Sequence, residues 1–74
     1  MNLYSAEQLA DLCRQLRENA GLTQEQLAAR LGVTRQEVTM AEDGRQASRT
    51  GIRKQIIEEL DGRTIEKVSF FRLV

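Results

Sequence analysis

Histidine, proline and tryptophan are absent from this chain of 74 residues, and cysteine occurs once, at Cys13. With no histidine and one thiol, a zinc site lacks ligands. A single cysteine makes no internal disulfide, so the bland role of Cys13 is that of a small apolar core residue. A lone thiol also agrees with a reducing compartment. Nothing resembles a glycine-rich phosphate loop or a catalytic pattern, so neither an enzyme nor a cofactor is expected. No apolar run approaches membrane-spanning length and no signal peptide is visible; a cytoplasmic protein without membrane contact is expected. Excess charge of either sign is missing too: eleven basic and eleven acidic residues cancel, with a pI near 6.2. A surface for a polyanion must then come from segregation of charge along the chain.

What is present is a repeated grammar of helix starts and stops. Ser5 and Gln8 stand three apart, as in a capping box, with Tyr4 and Leu9 placed as a hydrophobic staple. Leu9, Leu12, Cys13, Leu16 and Ala20 then share one helical face, and Gly21 supplies a left-handed stop. Thr23 with Gln26, Leu22 with Leu27, and Gly32 repeat the pattern. Thr34 with Glu37, Val33 with Val38, and Gly44 repeat it again. Helices are predicted near residues 6–20, 24–31 and 35–43. A fourth, near 49–60, carries Ile52, Ile56, Ile57 and Leu60 and ends at Asp61-Gly62. Residues 1–62 form the helical domain and residues 63–74 a separate tail. The tail, rich in β-branched and aromatic residues, reads as a strand, with continued helix as the competitor.

The second and third helices are joined by Leu31-Gly32-Val33-Thr34, a tight corner. Leu27, Ala28 and Leu31 face inward from one side, Val38 and Ala41 from the other. Ala28 is small at the closest approach, and Val33 plugs the corner. These are the proportions of a helix-turn-helix.

The segment "LRENAGLTQEQLAARLGVTRQEVTMAEDG", residues 16–44, resembles the Cro/Xre family of repressors, its "TQEQLAxxLGV" core being the most specific part. The resemblance implies a mainly α, lambda repressor-like bundle. It also implies a reading helix in the major groove of double-stranded DNA, and a homodimer on an inverted-repeat operator. "YSAEQLADLCRQLRENAGLTQEQLA" is similar to the start of HipB-type antitoxins, which repress their own operons; this implies a cognate toxin as a further partner. Those proteins end in a strand that pairs across the dimer, and "TIEKVSFFRLV" is suited to that, through Val68, Phe70, Phe71 and Leu73. An ion pair between Arg17 and Glu42, joining the first helix to the end of the third, is implied as well. One departure is Ala41, where the family often has a large residue, commonly tryptophan.

Thr23 and Gln24 sit at the amino end of the second helix, where free N–H donors favour a phosphate. On the third helix Arg35, Gln36, Thr39, Met40 and Asp43 point away from the buried pair Val38 and Ala41; all but Asp43, together with Thr34 just before the helix, are candidate base contacts. Arginine pairs with guanine and glutamine with adenine, and Thr39 and Met40 can meet a thymine methyl. Asp43 would repel phosphate. Arg45, Arg49, Arg53 and Lys54 form the densest basic stretch and are candidate phosphate contacts. For each, the competing reading is a solvated helix or loop face, or for Met40 a core filler. A helix-turn-helix that binds protein and not DNA remains the alternative function.

Overall fold

The computed structural model describes residues 3–46, 49–67 and 70–74. Three of its helices begin where side chains can serve the free backbone N–H groups. Ser5 accepts from the Gln8 N–H and the Gln8 side chain returns to the Ser5 N–H, opening α1 (Ala6–Asn19). Thr23 and Gln26 do the same for α2 (Gln24–Leu31). Thr34 caps α3 (Arg35–Ala41), but there the Glu37 carboxylate accepts from the Thr34 hydroxyl, so the box closes on one side only. α4 (Thr50–Asp61) has no side-chain cap at its start.

The stops differ in kind. Gly21, Gly32 and Gly62 have φ of 71, 72 and 77°, a region that costs an L side chain roughly 1 kcal/mol or more. Gly44 is not a left-handed stop, as the sequence suggested. α3 ends two residues earlier than expected, with Glu42 as a right-handed cap. Gly44 is needed for space: a Cβ there would lie 2.7 Å from Cγ of Glu7 on α1.

Leu9 and Cys13 of α1, Leu27 and Ala28 of α2, Val38 and Ala41 of α3, and Ile56 and Ile57 of α4 make one buried cluster. Leu12, Leu16, Leu31, Val33, Ile52 and Leu60 pack around it. Ala20, expected on the inner face of α1, is exposed as the helix cap. Ala10, which the pattern did not single out, is buried.

The tail is not one strand. It folds into β2 (Ile65–Lys67) and β3 (Phe71–Leu73), and β1 (Leu3–Tyr4) adds to them in an antiparallel sheet of order β1-β3-β2. Leu3 pairs with Arg72 and Tyr4 with Phe71; Ile65, Glu66 and Lys67 pair with Leu73, Arg72 and Phe71. Both edges of β3 are therefore filled within the chain. Phe71 and Leu73, expected at a dimer interface, pack instead with Ile65 and Tyr4 against the helical core. Phe70 is exposed, and Val68 lies outside the described residues. The result is a mainly α fold with a small antiparallel sheet.

Candidate nucleic-acid interface

The helix-turn-helix is set by α2 and α3 meeting across a three-residue turn. Gly32 turns the chain in the left-handed region, and the Val33 N–H donates to the Ala28 carbonyl at 3.0 Å. With Val38 and Ala41 fully buried, the opposite side of α3 faces solvent. Thr34, Arg35 and Gln36 are exposed there, and the Arg35 and Gln36 side chains hold no hydrogen bond or ion pair among the described residues. Their donors and acceptors remain available to a ligand.

The side chains behind this face are tied together. The Arg17 guanidinium donates to both oxygens of Glu42, at 2.6 and 3.0 Å, and to the Leu22 carbonyl at 2.9 Å. The Glu42 side chain is only 4% exposed, so the pair is shielded from water and salt. Its hydrogen bond raises the Arg17 guanidinium above its ordinary value. Gln24 extends the chain, donating from Nε2 to Glu42 at 3.2 Å and accepting from the Thr39 hydroxyl at 2.9 Å. Helices α1, α2 and α3 are thus locked at one corner. Sequence spacing pointed to Gln24 as a phosphate contact and Thr39 as a base reader; it carried no sign that the two touch.

The basic stretch divides. Arg53 is not a surface cation: it is fully buried on α4, which corrects its assignment as a phosphate contact. Its Nε donates to the Ala41 carbonyl at 2.7 Å, and Nη2 to the carbonyls of Asp43 and Gln46 at 3.0 and 2.5 Å. It caps the open carbonyl end of α3 and holds the following loop. Burial lowers the guanidinium from its ordinary value. A signal was available, since Arg53, Ile56, Ile57 and Leu60 fall at i, i+3, i+4 and i+7, on the buried stripe.

Arg45 is open to solvent at 89% but pairs with Asp43 at 3.1 Å. That hydrogen bond holds the Asp43 carboxyl below its usual range. Arg49 lies partly buried and directs Nη2 to the Met40 sulfur at 3.4 Å. Met40 is half-buried beside it and is no free apolar probe. Lys54 is exposed with its Nζ 4.0 Å from Glu58. Thr23 is exposed and occupied as the α2 cap.

Among the described residues no group of histidine, cysteine, aspartate and glutamate is placed to hold a metal, and no helix is long and apolar enough to cross a membrane. The turn, the buried pair on α3 and the exposed polar face define a helix-turn-helix domain. The helix-turn-helix domain family, of the Cro/Xre-like superfamily, matches residues 8–61, more than half of the chain, and the chain belongs to it. The match covers all four helices except the first two residues of α1, and none of the three strands. Comparison with curated proteins and with solved structures found no match.

Proposed function

We propose that the protein is a sequence-specific DNA-binding transcriptional regulator, a dimeric repressor of an inverted-repeat operator. The observation that carries this reading is the pair Arg35 and Gln36. Both are exposed and, among the described residues, unengaged at the start of α3, on a helix whose orientation the Arg17–Glu42 bridge fixes. α3 enters the major groove with Arg35 and Gln36 over base edges, while Gln24 and Arg49 approach the flanking phosphates. Dimerisation uses the sheet. The outer edge of β2 is unpaired among the described residues, and Leu3, Phe70 and Val74 are exposed apolar side chains on or beside the strands. Two copies joined along β2 about a two-fold axis present two reading helices.

Selection of bound sequences from random duplex DNA tests this reading. An enriched inverted repeat is expected. Arg35→Ala or Gln36→Ala should weaken the selected site by roughly 1–3 kcal/mol and relax the preference at one base pair per half-site. If neither variant changes the sequence preference, those residues do not read bases. If the unaltered protein enriches nothing, the helix-turn-helix serves as a protein-binding module.

A further inference from the structure

We infer that the Thr39 hydroxyl faces the major groove as a hydrogen-bond acceptor only, and so selects an adenine or cytosine at the base it meets. Polarity is passed along a chain of side chains to this hydroxyl, and the role given to it rests on the DNA reading above. Arg17 has donors alone. The Glu42 carboxylate, gripped by two of them, has acceptors alone. The end of the Gln24 amide that meets Glu42 must then be its NH2, as the 3.2 Å contact from Nε2 shows. Its oxygen is left to face Thr39, and an amide oxygen only accepts. Toward that oxygen, 2.9 Å away, the Thr39 hydroxyl can act only as a donor, and it has a single proton. Among the described residues the other acceptor within reach of that proton is the Arg35 carbonyl at 3.0 Å, also part of the protein. Whichever of the two holds it, the proton stays inside.

Thr39 is nonetheless exposed on α3. What it offers outward is oxygen lone pairs and a methyl group. In the major groove each base pair carries one amino donor, on adenine N6 or cytosine N4; guanine and thymine present acceptors at the corresponding position. The lone pairs match the amino bases and repel the keto bases. Thr39 is in this way a specificity-determining residue whose sign is set two helices away, by the ion pair on α1.

Two substitutions separate the hydroxyl from the methyl. Thr39→Ser keeps the hydroxyl, and Thr39→Val keeps the shape and a methyl. Each is carried through selection from random duplex DNA beside the unaltered protein, with circular dichroism melting as the check on folding. Should Thr39→Val melt early, Thr39→Ala serves in its place. The expected result is one base position per half-site that favours adenine or cytosine by about two- to tenfold in the parent and in Thr39→Ser. That preference should disappear in Thr39→Val. A guanine or thymine preference that Thr39→Val abolishes would overturn the inference, because the hydroxyl would then be donating. A thymine preference kept by valine and lost by serine would overturn it in favour of a methyl contact. Three identical preferences would overturn it as well. Failure of the parent to enrich any sequence removes the DNA reading itself, a different outcome from these.

Discussion

At the scale of single residues, buried polar groups explain more of this molecule than its exposed charges do. Arg53 shows why one basic residue differs from its neighbours: in sequence it belongs to a cationic run, in space it fills three carbonyl acceptors, one at the end of α3 and two in the loop that follows. Arg53→Leu should destabilise the fold by about 3 kcal/mol or more, because those carbonyls lose their donor in a dry site. Lys54→Leu, next along the chain but exposed, should change the urea midpoint little. Equal effects in the two variants would contradict the bracing role. Cys13 gives a pH prediction. Burial pushes its thiol from 9.0 up to about 12. The unfolded chain releases the proton from pH 9 upward while the folded chain keeps it to about 12, so unfolding releases a proton in that window. The contribution is intact below pH 9 and is lost as pH rises from 9 to 12. The denaturation midpoint should fall across that range, and less steeply in Cys13→Ala; parallel curves would show that the thiol plays no part.

At the scale of elements, the caps made α1, α2 and the start of α3 legible, because a capping box is local chemistry that tertiary packing does not alter. Gly44 marks where that reading stopped: a glycine needed for clearance from Glu7 on another helix looks, in sequence, like a glycine needed for its φ. Gly44→Ala should therefore destabilise by forcing α1 and the α3–α4 loop apart, whereas Gly51→Ala should do the reverse. Gly51 lies in the first turn of α4 with no described residue within 4 Å of a new Cβ and no positive φ, so alanine should stabilise by about 0.5–1 kcal/mol. Thermal melts of the two variants should move in opposite directions. The tail was legible as β structure but not as a hairpin. Its pairing depends on a two-residue partner, Leu3–Tyr4, some seventy positions away, and no short-range pattern announces that. The Gln24–Thr39 contact was hidden for the same reason, since it joins the starts and middles of different helices.

At the scale of the whole molecule, the proposed dimer can be tested at the open edge of the sheet. Thr64 and Val74 exchange hydrogen bonds at 2.8 and 2.9 Å, so by alternation the backbone groups of Ile65 and Lys67 point to the open side of β2. Lys67→Pro removes an outward N–H while leaving the inner ladder whole. If the proposed dimer forms along β2, sedimentation should show the parent as a dimer and this variant as a monomer with an unchanged helical signal; a variant as dimeric as the parent would place the contact elsewhere. The distribution of charge has a further consequence, for the time spent on the wrong DNA. With Arg53 turned inward, Arg45 held by Asp43 and Lys54 beside Glu58, few cations are left to meet phosphates. Each phosphate neutralised adds about 0.9 to the dependence of log affinity on log salt, and that same term supplies nearly all adhesion to random sequence. On the proposed DNA reading, a protein with few such contacts should leave non-cognate duplex quickly and search mainly through free solution, with its residence time set by the bases under α3.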